Sequence, residues 1–127
     1  MIVAGRMPLC VRLQIFLISR SARKGHLREV DNRLPLLVLC GFPWETEREY
    51  INSVIFDELC AGKMNNESRE RFVQIINRLV DEDGVQGVIL GCTEIPLLIK
   101  QRDVKVPVFD TMTIHAEAAV KYALSGT

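Results

Sequence analysis

The chain has 127 residues, of which 48% are apolar and 25% are charged, a composition typical of one soluble globular domain. Sixteen Lys and Arg residues balance sixteen Asp and Glu residues, so the net charge gives no reason to expect a nucleic acid or a strongly acidic partner.

The beginning of the chain is basic. Up to Arg28 it carries six Lys or Arg residues and no acid. Its apolar stretch is interrupted by Arg12 and Gln14, which makes it too short for a membrane span, and it lacks the cleavage pattern of a secretory signal. It could form a first strand, MIVA or LQIFLIS, act as a mitochondrial-type presequence, or be foreign to the fold. We therefore separate a basic head of unassigned structure, residues 1–33, from an expected α/β domain, residues 34–127.

The first half of the expected domain predicts one strand and two helices. LPLLVLC, residues 34–40, is a short apolar run typical of a strand buried on both faces. In residues 45–62 the apolar residues recur at helical spacing, acids crowd the first turn, and Gly62 stands where a C-terminal cap would lie. Residues 65–84 repeat this pattern, with Asn65 or Asn66 as the N-cap and Gly84 at the end.

The second half predicts two further strands, each followed by a helix. VQGVILG, residues 85–91, is β-branched, apolar and bounded by glycine, as expected of a buried strand. Pro96 can occupy an early turn of a helix that includes LLIKQR, residues 97–102. VKVPVFD, residues 104–110, reads as a strand, and residues 113–124 as an alanine-rich helix. The alternation of strand and helix predicts an α/β fold with a parallel sheet flanked by helices.

The four cysteines favour reduced thiols in a cytoplasmic protein. Cys10, Cys40, Cys60 and Cys92 are widely spaced, unlike the dense framework of small secreted domains or the paired CxxC spacing of a zinc site. Cys40 and Cys60 are expected to be structural, whereas Cys10 is left open. His115 could face a cleft or pack, and packing is the favoured interpretation.

Cys92 lies directly after a predicted strand, in the sequence VILGCTEIP. Ligands of open parallel sheets bind outside the carboxyl ends of the strands. Amides of the following turn and the helix dipole could lower the thiol pKa and prepare Cys92 as a nucleophile or proton-transfer base. Gly91 would allow a substrate to approach the backbone, Thr93 could bind a carboxylate, and Glu94 could orient or tune a neighbour. The alternative is that Cys92 is a small buried hydrophobic residue.

Two segments carry a resemblance to a known family. GVQGVILGCTEIPLLI, followed by VPVFDTMTIHAEAAVKYAL, closely resembles the C-terminal part of the aspartate/glutamate racemases, which act without a cofactor. YINSVIFDELCAGKMNNESRERF is also similar to that family, so the resemblance covers residues 46–124. Glutamate racemases usually have histidine at the position of Glu94. The glutamate at this position makes the chain more similar to the aspartate racemase branch. GCTEIP fits this family better than the related hydantoin racemases, maleate isomerases or arylmalonate decarboxylases.

The resemblance implies proton transfer without pyridoxal phosphate or a metal. Family members have two pseudo-symmetric α/β domains that each contribute one catalytic cysteine, and Cys92 matches the second. Thr93 matches the residue that helps to hold the substrate, and Gly91 and Glu94 are assigned to the same substrate site. The expected substrate is a small amino acid, and the expected assembly is a homo-oligomer, most simply a dimer, with neither nucleic acid nor a membrane as partner.

The chain departs from the family pattern at its beginning. The Cys-Asn-Thr sequence that carries the first catalytic cysteine does not occur, and residues 1–33 match nothing in the family. We therefore expect the C-terminal half of a racemase behind an unrelated beginning. Two functions follow: a racemase whose opposing cysteine comes from another subunit or chain, or from Cys10, and a non-catalytic remnant or carboxylate-binding half-domain. Half of a two-domain site should also expose apolar surface that favours self-association.

Overall fold

Strands and helices alternate in the part of the chain that the computed structural model describes, which is residues 15–19, 28–29 and 39–125. The elements are β1 (Ile15–Ser19), β2 (Arg28–Glu29), β3 (Leu39–Gly41), α1 (Glu45–Asp57), α2 (Asn66–Asp83), β4 (Gly87–Leu90), α3 (Ile95–Leu98), β5 (Val108–Asp110) and α4 (Thr111–Leu124). Short 3-10 helices follow α1 and α3, at Leu59–Ala61 and Gln101–Asp103. No helix among the described residues has the length and the apolar character that crossing a membrane requires.

The strands form one sheet in the order β2-β3-β1-β4-β5. Strand β4 pairs with β5 in parallel, whereas β1 is antiparallel to both of its neighbours, β3 and β4. Strands β3, β4 and β5 therefore all run in one direction, as the predicted α/β fold requires. The two strands from the basic head, β1 and β2, run in the opposite direction, so the sheet is mixed and its directly paired parallel part is β4 and β5.

The core lies between helices α1 and α2, strand β4 and the segment that follows it. Fifteen apolar side chains of the described residues are buried there, and Phe72, Ile76 and Leu79 on α2 are entirely inaccessible to solvent. On β4, Val88 and Leu90 are buried while Ile89 between them is only partly buried. This alternation follows from the two-residue period of a strand, in which successive side chains point to opposite faces of the sheet. The face of the sheet toward α1 and α2 is the better covered one.

The ends of α2 lie where the sequence predicts them. The Asn65 side chain accepts a hydrogen bond of 3.0 Å from the amide of Glu67, which makes Asn65 the N-cap. Gly84 ends the helix with a φ of 65°, a left-handed conformation that glycine adopts without the steric cost of a side chain. Similarly, Gly62 ends the 3-10 turn after α1 with a φ of 72°.

A partly buried ion pair joins α1 to α2. The Nε of Arg78 donates a hydrogen bond of 2.7 Å to the Glu47 carboxylate, and a second guanidinium nitrogen binds the same group. The amide of Trp44 also donates to Glu47, at 2.9 Å, and the Arg78 guanidinium lies 3.7 Å from the centre of the Trp44 ring. Fork-like pairing and stacking on an aromatic face are both specific to arginine. These contacts fix the start of α1 against the last turns of α2.

Two predicted elements are shorter than the sequence pattern suggests. The helix expected through residues 97–102 is a single turn of α-helix that ends before Ile99, whose backbone is extended and whose side chain is buried. Burial of this side chain outweighs the weak local preference for continuing the helix. The strand expected at residues 104–110 pairs only from Val108, after Pro107, which has no amide to donate to a sheet. The expected strand 34–40 is described only from Leu39.

Candidate active site at the end of strand β4

The carboxyl ends of β4 and β5 lie at the same edge of the sheet. Leu90 pairs with Asp110 in the parallel register, so the two strands end at the same level. Cys92 follows β4 by two residues, and α4 begins directly after β5. This is the edge at which parallel sheets bind their ligands.

Cys92 is held in a compact hydrogen-bonded turn before α3. Its side chain is partly buried and packs against the core. The Cys92 thiol donates a hydrogen bond of 3.1 Å to Oε2 of Glu94. The Thr93 hydroxyl donates to the same oxygen, at 2.6 Å. The structure therefore brings three of the four predicted site residues into contact, and Gly91 is exposed at the start of the same turn.

The thiol pKa is raised, which corrects the expected direction. Burial is the largest cause, and the hydrogen bond and negative charge of the Glu94 carboxylate add to it. The amides of Glu94 and Ile95 do favour the thiolate, as expected of a turn that starts a helix, but their effect is outweighed. One reason is that α3 has only four residues, so it offers little helix dipole. In this turn Cys92 carries its proton at neutral pH.

The Glu94 carboxylate has the opposite shift. The hydrogen bond from Thr93 is the largest cause that lowers the pKa of Glu94, and the bond from Cys92 acts in the same direction. A proton donor must carry its proton when the substrate arrives. The charged Glu94 carboxylate keeps the Cys92 thiol protonated at rest and can orient it toward a substrate.

We expect replacement of Glu94 by glutamine to lower the pKa of the Cys92 thiol. The substitution removes the negative charge next to the sulfur, while the amides that favour the thiolate remain. The measurement is the pH dependence of Cys92 alkylation in a chain whose other cysteines are serine. The midpoint should move to lower pH in Glu94→Gln and stay in place in Glu117→Gln, which neutralises an exposed carboxylate on α4. An unchanged or higher midpoint in Glu94→Gln would contradict the proposed interaction.

Sequence reasoning missed the connection between this turn and α4. The Thr111 hydroxyl donates a hydrogen bond of 2.9 Å to the carbonyl of Leu90, the last residue of β4. Asp110 caps α4 by accepting hydrogen bonds from the amides of Met112 and Thr113, and the Thr113 hydroxyl is the main cause that lowers its pKa. The pattern Asp-Thr-x-Thr at the end of a strand is a helix-start signal that could have revealed the cap.

The remaining chemically active candidates lie elsewhere or outside the described residues. Cys60, expected to be structural, is exposed in the 3-10 turn after α1. His115 is exposed on α4, so the packing interpretation is wrong. Cys10 lies outside the described residues, and the side chain of Cys40 is not described. Of the basic head the structure describes β1 and β2, and the presequence interpretation stays a prediction. No metal-binding cluster of three or more His, Cys, Asp or Glu residues occurs within the described part.

Known proteins share both the sequence and the fold of this region. Residues 40–119, more than half of the chain, match the Asp/Glu/Hydantoin racemase family. A candidate Asp/Glu racemase from Yersinia pestis is 50% identical with a TM-score of 0.60, over 65% of this chain and 35% of its own. An aspartate racemase homologue from Pyrococcus horikoshii OT3 is 44% identical with a TM-score of 0.60, over 64% and 35%.

The matched region contains the whole Cys92 turn, β4, β5 and most of α4, so the resemblance found in the sequence extends to the structure. The chain spans about a third of the length of these two structures, since the match covers 35% of each. The family match covers residues 40–119, and the α/β architecture and the position of the cysteine at the strand end agree with it. The chain therefore belongs to the Asp/Glu/Hydantoin racemase family.

Proposed function

We propose that this chain contributes to the cofactor-independent racemisation of aspartate or glutamate, with Cys92 as one of two proton-transfer groups. The observation that carries this proposal is the Cys92 turn itself, in which a partly buried thiol donates to a carboxylate at the carboxyl end of a parallel strand. Family membership supports a racemase as the enzyme class, and the aspartate and Asp/Glu racemase names of the matched structures support the substrate class.

In the proposed reaction Cys92 begins as a protonated thiol and acts as the acid. A thiolate on the opposite face of the substrate removes the Cα proton, and the electron pair remains on the carbanion. The Cys92 thiol then gives its proton to the other face of Cα, which inverts the configuration and leaves Cys92 as the thiolate. The raised pKa of Cys92 supports the donor role at neutral pH. The reverse direction uses the same two groups with exchanged roles.

The substrate would bind at the exposed side of the turn. Gly91 and Thr93 are both exposed there, so the Gly91 backbone leaves room for close approach and the Thr93 residue can bind the substrate carboxylate. Glu94 is proposed to hold the Cys92 proton and to orient the thiol. No cofactor takes part in this proposal, and the wide spacing of the cysteines favours a reducing compartment such as the cytoplasm.

The opposing thiolate is proposed to come from a second polypeptide or from Cys10. The structure describes the side chain of one other cysteine, Cys60, and this residue lies in the turn between α1 and α2. The matched structures are about three times as long as the shared region. Cys92 is the one thiol described at this turn, which favours a second candidate function, a half-domain that binds an amino-acid carboxylate at the Cys92 turn without catalysing its racemisation.

The test is Cα hydrogen exchange in deuterium oxide. The purified chain is incubated with L-aspartate and, separately, with L-glutamate; proton NMR follows loss of the Cα proton, and chiral chromatography identifies the isomers. Loss of the Cα proton with formation of the D-isomer is expected for the proposed function. Shifts of backbone amide signals around Cys92 without exchange would support the carboxylate-binding half-domain. Neither exchange nor binding of either amino acid would overturn both.

A further inference from the structure

A polar groove lies between helix α2 and the 3-10 turn at Gln101–Asp103. Its volume is about 360 Å³, which falls within the range of about 300–1,000 Å³ that is common for small-molecule sites. One cation, two acids, one amide and one apolar side chain line it, namely Arg69, Glu70, Asp103, Gln74 and Val73. The groove shares no residue with the Cys92 turn, so a ligand in it would occupy a second site.

One wall of the groove is a face of α2. Arg69 and Val73 are four residues apart on this helix, as are Glu70 and Gln74, so the four side chains share one side of it. Val73 is partly buried and packs against the core, whereas Glu70 and Gln74 are exposed. Phe72, which is entirely inaccessible to solvent, fixes this part of the helix against the core. The wall is therefore present before a ligand arrives.

The opposite wall is the 3-10 turn, which side-chain hydrogen bonds hold in place. The Asp103 carboxylate accepts a hydrogen bond of 2.8 Å from the backbone amide of Lys100. The Gln101 side chain donates to the carbonyl of Val106, at 3.0 Å, and accepts from the amide of Val108, at 2.9 Å. These bonds tie the turn to the start of β5. Walls that are formed in advance lower the entropy cost of binding a ligand.

The charged groups that line the groove have no ion-pair partners in the described part of the chain. This holds for the Arg69 guanidinium and for the Glu70 and Asp103 side chains. A simple anion in the groove would meet two acids, and a simple cation would meet the guanidinium. A ligand that carries both charges can satisfy all three groups, because each of its charges can lie against the opposite one.

We propose that this groove binds a neutral α-amino acid in its zwitterionic form. Arg69 holds the ligand carboxylate through paired N–H donors, and Glu70 and Asp103 accept hydrogen bonds from the ligand ammonium group. Val73 packs against an apolar side chain of the ligand. An acidic amino acid has a second carboxylate that the two acids of the groove repel, so this ligand differs from the proposed racemase substrate. The inference does not depend on racemase activity.

The test is a titration of the isotope-labelled full chain with L-leucine, followed by two-dimensional NMR of the backbone amides. We expect saturable shifts at residues 69–74 and 101–103 and none at residues 91–94. The dissociation constant should be in the millimolar range, because a small ligand makes few contacts. Isocaproate and isoamylamine keep the leucine side chain but each lack one charged group, so each should bind at least about 10-fold more weakly.

Two variants test the roles of the charged groups. Arg69→Gln and Glu70→Gln each remove one charge and should each weaken L-leucine binding roughly 10-fold or more. Lys121→Gln, a matched loss of charge at an exposed position on α4, should bind L-leucine as the wild type does. Circular dichroism confirms that the variants keep their helix content.

The proposal would be overturned by any of five results. These are a wild type without saturable shifts, shifts confined to the Cys92 turn, equally tight binding of a singly charged compound, equally tight binding of L-aspartate in the groove, and wild-type binding by Arg69→Gln or Glu70→Gln.

Discussion

Cys92→Ala is expected to reduce Cα proton exchange of aspartate or glutamate by at least about 100-fold, the lower end of what a positioned acid or base contributes. The Cys92 thiol is the group that donates to Glu94 at the end of β4, and alanine offers no proton in its place. Because the side chain is only partly buried, the variant should keep its fold. The rate is measured by proton NMR in deuterium oxide at several protein concentrations.

The matched control for this prediction is Cys60→Ala. Cys60 is an exposed free cysteine in the turn after α1, so its removal tests whether any accessible thiol supports exchange. We expect wild-type exchange in this control. Equal loss in both variants, or exchange that persists in Cys92→Ala, would show that the reaction does not depend on the β4 turn.

Phe72→Ala is expected to destabilise the domain by about 3–5 kcal/mol, the range measured for deleting a fully buried aromatic side chain. Phe72 is entirely inaccessible to solvent, and its ring lies 6.3 Å from that of Tyr50 at an angle of 59°. It therefore joins α2 to α1 within the core. A loss of this size is a large share of the total stability of a small domain, about 5–15 kcal/mol.

The neighbouring substitution Val73→Ala provides the comparison for Phe72→Ala. Val73 is on the same helix but only partly buried, so we expect it to cost about 1 kcal/mol, as point substitutions commonly do. Urea unfolding followed by circular dichroism gives both free energies, with the slope of the transition as a check on two-state behaviour. Similar losses in the two variants would show that Phe72 does not have the central packing role assigned to it.

Local sequence patterns were sufficient to predict the structural features that depend on a few neighbouring residues. The Asn65 cap and the glycine that ends α2 could be predicted because side-chain oxygens and a left-handed backbone act within one turn. The position of Cys92 at a strand end could also be predicted, because the short apolar run before it and the proline after it define the turn. The helix after Cys92 could not be bounded, since burial of Ile99 ended it after one turn.

The thiol pKa shows why local reasoning alone was incomplete at the site. The amides expected to favour the thiolate are present, but burial against the core and the position of the Glu94 carboxylate reverse the net shift. Neither effect can be read from residue spacing, because desolvation depends on atoms from distant parts of the chain and an ionic contact depends on the rotamers that packing selects.

The sequence by itself determined the α/β class, the two main helices, the family resemblance and the identity of the candidate thiol, because these depend on periodicity, capping and a short specific motif. Only the tertiary structure decided that β1 runs antiparallel between β3 and β4, that Cys92 holds its proton against Glu94, that Thr111 ties α4 to β4, and that α4 is left exposed. The physical reason is that each of these outcomes depends on contacts between residues far apart in the chain, whose free energies no local pattern contains.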